Sequence, residues 1–152
     1  PLASRDPDPQ GDRCSLTGAR FASTHVGSLD RMEVYKEFAF ESAHRLPNVP
    51  DGHKCAQLHG HSFRVAVHVE GPVGEDSGWV IDFGEIAAAC SQLREELDHR
   101  YLNDIPGRQN PTSEVLAVWI WERLVGDLAG LSMVEVRETC TSGCRYRGDP
   151  PS

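Results

Sequence analysis

The chain predicts an α+β domain in the order strand, strand, helix, helix, strand, strand, with an antiparallel sheet. Three observations carry this. Residues 32–42 and 59–70 alternate apolar and polar side chains with a period of two, as half-buried strands do. Residues 82–97 and 110–128 place apolar side chains at helical spacing. After residue 131 the alternation returns, so strand pairs flank a helix pair, which favours antiparallel pairing over a βαβ arrangement. At 152 residues the chain has the length of one domain, and its 39% hydrophobic and 25% charged residues are those of a soluble globular protein.

Each element has its own signal. Residues 1–31 lack periodicity and include Pro-Asp-Pro-Gln-Gly-Asp-Arg, the composition of a disordered N-terminal tail. The domain proper is expected over residues 32–149. Its first strand puts Val34, Phe38, Phe40, Ser42 and His44 on one face. Pro47, Pro50, Asp51 and Gly52 mark a loop. The second strand puts His59, His61, Phe63, Val65, Val67 and Val69 on one face, and Gly71-Pro72-Val73-Gly74 ends it.

The first helix opens on Asp82-Phe83-Gly84-Glu85, which resembles a capping box, and continues through Ile86, Cys90, Leu93 and Leu97. The second is expected from Asn110-Pro111-Thr112, with proline at a permitted early position, to about Leu128. Val115, Val118 and Trp121 make it apolar on nearly every side, so it is buried or packs on a partner. A third strand over 131–139 and a short fourth over 144–147 complete the order.

Composition narrows the function classes. The net charge of −8 argues against non-specific nucleic-acid binding, which needs a basic face. No apolar run approaches the ~20 residues of a membrane span. Five cysteines without scaffold spacing, and no export signal, lead to the expectation of reduced thiols in a cytoplasmic protein.

His44, His59 and His61 all fall on the apolar faces of their strands. Three imidazoles suit zinc and leave the fourth position open for chemistry; the bland alternative is a set of satisfied core histidines. Cys55 lies in the loop before His59, where a thiol beside a metal can act as base or nucleophile, or can have no task. Asp98-His99 closes the first helix with a carboxylate that opposes the helix dipole. Such a pair can orient an imidazole for proton transfer, or be a solvated helix end. Glu138 follows Val134 and Val136 on an apolar face, where an unpaired carboxylate is costly. It suits a ligand with two adjacent N–H donors, or an ion pair. Met133, Glu135, Arg137 and Thr139 share the opposite face, on which Glu135 and Arg137 read as solvated, cross-strand charges. Cys140 and Cys144 read as structural, and Glu114 as a helix first-turn acid.

Taken together, Phe40-Glu41-Ser42-Ala43-His44-Arg45-Leu46, His53-Lys54-Cys55-Ala56-Gln57-Leu58-His59-Gly60-His61-Ser62-Phe63, Leu97-Asp98-His99-Arg100-Tyr101-Leu102-Asn103, Asn110-Pro111-Thr112-Ser113-Glu114 and Glu138-Thr139-Cys140 resemble the 6-pyruvoyltetrahydropterin synthase superfamily. Three residues separate Cys55 from His59, as in its carboxytetrahydropterin-forming, queuosine-pathway branch. The resemblance implies the tunnelling fold: a four-stranded antiparallel sheet backed by two helices, joined edge to edge into an oligomeric barrel, a trimer-based homo-oligomer that stacks to a hexamer.

It further implies zinc on His44, His59 and His61, and catalysis by Cys55 with Asp98 and His99 from a neighbouring subunit. Glu138 and Thr139 would bind the pterin ring. The substrate implied is the small-molecule pterin triphosphate 7,8-dihydroneopterin triphosphate, with Lys54, Arg64 and Arg145 as candidates for its phosphates. Neither nucleic acid nor membrane enters as a partner. A pyruvoyl-forming synthase, a zinc hydrolase and a non-catalytic pterin-binding module are the competing readings.

Overall fold

The computed structural model describes residues 31–148. The expected tail, with Cys14 and His25, lies outside them apart from Arg31. The described chain forms strands β1 (Met32–His44) and β2 (His59–Gly71), helix α1 (Phe83–Leu97), strand β3 (Arg100–Tyr101), helix α2 (Ser113–Leu124), and strands β4 (Leu131–Arg137) and β5 (Gly143–Tyr146). Single 3-10 turns occupy Lys54–Ala56 and Leu102–Asp104. No described helix is long and apolar enough to cross a membrane.

The sheet order is β3-β1-β2-β4-β5. The four longer strands pair antiparallel, as expected. The sheet nevertheless has five strands. β3 pairs parallel with β1 through Ser42↔Arg100 and Ala43↔Tyr101. Two residues are too few to show a period, and a tertiary contact 58 positions away defines the strand.

Alternation places the core as expected. Phe40, Phe63, Val65, Val67, Val69, Val134 and Val136 are buried and meet Ile86, Leu93, Leu97, Leu116, Ile120 and Leu124 from the helices. Each such side chain contributes about 1.5–3 kcal/mol by leaving water. Phe40 and Phe63, paired in register, stack at 4.9 Å. That contact adds roughly 0.5–1.5 kcal/mol beyond area burial.

α1 begins where its signal lies: the Asp82 carboxylate accepts from the Gly84 N–H at 2.7 Å. α2 departs from expectation at both ends. Thr112 is its cap, accepting from the Val115 N–H at 3.3 Å, so Pro111 stands outside the helix. Its last turn ends at Leu124, although Leu128 is still buried. β4 stops at Arg137, which leaves Glu138 and Thr139 in the turn to β5.

On the face of β4 opposite Val134 and Val136, Met133 is buried. On that open face Glu135 takes Arg145 at 2.5 Å and Arg137 at 3.4 Å, while Arg137 also pairs with Glu37.

Candidate metal and proton-transfer site

Strand register builds the histidine cluster. His44 ends β1 directly opposite His59, and Ser42 stands opposite His61, so the two strands deliver three inward rings to one end of the sheet. Ring centroids lie 4.5 Å (His44–His59), 5.1 Å (His44–His61) and 5.0 Å (His59–His61) apart. One ligand atom from each lies within 4.8 Å of the others. Phe63 forms the apolar floor, with its ring 5.6 Å from His44 and 5.4 Å from His61.

The hydrogen bonds determine which nitrogens are available. His44 Nδ1 donates to the Pro111 carbonyl at 2.9 Å, and His59 Nδ1 donates to the Gln57 carbonyl at 2.8 Å. A carbonyl only accepts, so each ring carries its proton on Nδ1 and a lone pair on Nε2. His44 is fully buried and its Nε2 has no protein partner. Burial depresses its pKa, with the charges of His59 and His61 acting in the same direction; the Pro111 bond and the Glu138 charge oppose. Neutral imidazole is the ligating form.

The donor set fits a metal ion. A tetrahedral ion with bonds of about 2.0–2.1 Å spaces its ligand atoms roughly 3.3 Å apart. Three nitrogens would leave one coordination position open.

Asp98 is the cap residue ending α1, its N–H bonded to the Arg94 carbonyl. Its carboxylate has a structural partner that sequence reading did not supply: Oδ1 accepts from the Glu41 N–H at 2.9 Å. His99 follows in the left-handed region (φ 56°), and its N–H reaches the Glu41 carbonyl at 2.7 Å. That conformation costs a non-glycine residue about 1–2 kcal/mol. His99 Nδ1 lies 3.1 Å from Asp98 Oδ1, and the ring is exposed. His99 and His61 line one shallow cleft of about 580 Å³ with Glu41, Ser62, Arg100 and Tyr101.

The Glu41 N–H, followed by His99, holds the Asp98 carboxyl below the usual carboxylate range. A folded-state pKa below the unfolded value stabilises the protein above the unfolded value, near 3.8, and the contribution is lost as pH falls through the folded value. Asp98→Asn is therefore expected to melt below wild type at about pH 5. The gap between the two melting curves should close on acidification, as thermal melts across the acid range would record.

Cys55 sits in the 3-10 turn after His53, half-buried; its N–H meets His53 Nδ1 at 3.2 Å, and its carbonyl accepts the Leu46 N–H at 2.8 Å. Among the described residues, no hydrogen bond or ion pair engages the Cys55 thiol or the Glu138 carboxylate. Glu138 is half-buried and close enough to His44 to act on its charge. Thr139 is exposed and its Oγ1 accepts from the Thr141 N–H at 3.3 Å. The Arg145 guanidinium is engaged by Glu135; Lys54 and Arg64 are exposed. Burial raises the Cys144 thiol to about 11, consistent with a structural cysteine.

Sequence reasoning missed the carbonyls of Pro111 and Gln57 that orient two rings. It placed Ser42 inward but missed its role: the buried hydroxyl donates to the Leu97 carbonyl and accepts from the Arg100 N–H at 3.4 Å. An inward polar residue two before His44 was the available signal.

Comparison with known proteins adds a family. A family profile described as 6-pyruvoyl tetrahydropterin synthase matches residues 33–149. A Synechocystis protein named 6-carboxy-5,6,7,8-tetrahydropterin synthase is 48% identical over 119 residues, covering 74% of this chain and 91% of its own. The 6-pyruvoyl tetrahydrobiopterin synthase of Dictyostelium discoideum is 32% identical, covering 80% and 96%. The solved 6-pyruvoyl tetrahydropterin synthase of Caenorhabditis elegans superposes with a TM-score of 0.72 at 25% identity, covering 80% of this chain and 99% of its own.

Proposed function

Because the chain belongs to the 6-pyruvoyl tetrahydropterin synthase family, we propose that it is a zinc-dependent lyase of the carboxy-forming type. It converts 7,8-dihydroneopterin triphosphate and water into 6-carboxy-5,6,7,8-tetrahydropterin, acetaldehyde and triphosphate, a cytoplasmic step toward queuosine. The observation that carries this reading is the inward tri-histidine cluster, with His59 four positions after Cys55, in a chain 48% identical to a protein named as a carboxy-forming synthase.

His44, His59 and His61 hold the ion. When bound, zinc supplies Lewis-acid polarisation of the substrate's side-chain oxygens. Cys55 takes and returns protons at the pterin side chain, and Asp98 holds His99 as the second proton-transfer group. Relay between them across a subunit boundary suits the placement of His99 on an open cleft. Glu138 accepts the 2-amino and N3 hydrogens of the pterin, a task supported by a half-buried carboxylate that has no ion pair among the described residues. Thr139 lines that pocket.

Subunits join edge to edge. The outer edge of β1 supports this: along residues 32–41 it has no strand partner among the described residues. Such edges are normally covered.

The reaction splits the three-carbon side chain, leaving one carbon on the pterin as the carboxyl and releasing two as acetaldehyde. Incubation of the zinc-loaded protein with 7,8-dihydroneopterin triphosphate is expected to release acetaldehyde and triphosphate together. A pterin product that keeps all three side-chain carbons, with no acetaldehyde trapped, would assign the pyruvoyl-forming reaction instead.

A further inference from the structure

We infer that Asn103 is a positioning residue for the metal site, fixing His44 and Cys55 through the backbone between them. The inference rests on the reading of His44, His59 and His61 as metal ligands.

The short parallel pairing of β3 with β1 runs in a register of 58 positions, Ser42↔Arg100 and Ala43↔Tyr101. Continued by two residues, it would set Arg45 opposite Asn103. The backbone there has already turned into the 3-10 helix Leu102–Asp104, so the side-chain amide takes over the ladder. Asn103 Oδ1 accepts from the Arg45 N–H at 2.9 Å, and Nδ2 donates to the Arg45 carbonyl at 2.8 Å. The second Nδ2 hydrogen goes to the Gln109 carbonyl at 2.9 Å. Both of these carbonyls only accept and the Arg45 N–H only donates, so the amide has one orientation.

Each contact leads to the site. Arg45 follows His44, and the Leu46 N–H holds the Cys55 carbonyl at 2.8 Å. Gln109 lies two residues before Pro111, whose carbonyl takes the His44 Nδ1 proton. Asn103 thus ties the residue after His44 to the segment that leads into Pro111, the two stretches of chain that carry the bond orienting His44, and its grip on Arg45 adjoins the Leu46–Cys55 backbone bond. Asp98 performs the same substitution at the other end of β3, where its carboxylate meets the Glu41 N–H.

The test uses purified metal-free full chain, with Zn²⁺ affinity measured by chelator competition and site geometry by the visible spectrum of bound Co²⁺. Asn103→Ala removes all three bonds. Asn103→Asp keeps the acceptor for Arg45 but sets a carboxylate oxygen against two carbonyls. Both are expected to weaken Zn²⁺ binding by about 10–100-fold, the usual cost of losing a group that orients a metal ligand. They should also change the Co²⁺ spectrum while the metal-free circular dichroism stays native. Folded variants with wild-type Zn²⁺ affinity and Co²⁺ spectrum would overturn the inference and leave the metal reading intact. Failure of both variants to fold would overturn it too, by making Asn103 a requirement of the fold. Wild-type protein that binds no Zn²⁺, or a His59→Ala protein that binds it equally well, would remove the metal reading and the inference with it.

Discussion

Replacing His59 with alanine is expected to abolish the proposed zinc binding and reduce turnover to background. His59 begins β2 opposite His44, its Nδ1 proton committed to the Gln57 carbonyl and its Nε2 left for a ligand. Its loss leaves two imidazoles, too few to close a stable zinc site. Metal affinity should fall by more than the roughly 10–100-fold that loss of an outer-shell partner costs. The fold should survive, because the ring is only half-buried and the core beneath it is Phe40 stacked on Phe63. Metal analysis after gel filtration checks this, with circular dichroism as the control. Full zinc occupancy in the variant would sink the assignment.

Cys55→Ala is expected to separate chemistry from metal binding. The thiol makes no hydrogen bond among the described residues, and the histidine cluster is complete without it. The backbone bond from the Leu46 N–H to the Cys55 carbonyl is kept by alanine. The variant should therefore retain zinc and its melting temperature. Its steady-state rate should fall by about 10²–10⁴-fold, the typical contribution of a positioned acid–base group. Near-native turnover would exclude Cys55 as the proton-transfer residue, and loss of zinc would make it a fourth ligand instead.

The inward direction of His44, His59 and His61 follows from a period of two. One residue of slip would turn all three rings outward together with Phe40, Phe63 and Val65, and expose the core. The sequence alone therefore settles the order of the four longer strands and the two helices, the core faces, the Asp82 cap and the inward direction of the histidines. It could not settle their tautomers. The Pro111 carbonyl reaches His44 from 67 positions away, and no local period encodes that.

The same limit explains the departures. The register of β3 and the clamp by Asn103 depend on a contact 58 positions distant. Pro111 reads as a helix-start residue, yet Thr112 supplies the cap and leaves the Pro111 carbonyl for a ring. Glu138 reads as the continuation of a strand, but β4 stops at Arg137 and the chain turns. Asp98 reads as a carboxylate misplaced at a helix end, until the Glu41 N–H occupies it. Periodicity reports which side of an element faces the core, because burial of apolar area is roughly additive and non-directional. Hydrogen bonds are directional and are completed by whichever group the tertiary fold brings within reach. Here the strand faces were written in the sequence, and the partners that orient the site were decided by the folded chain.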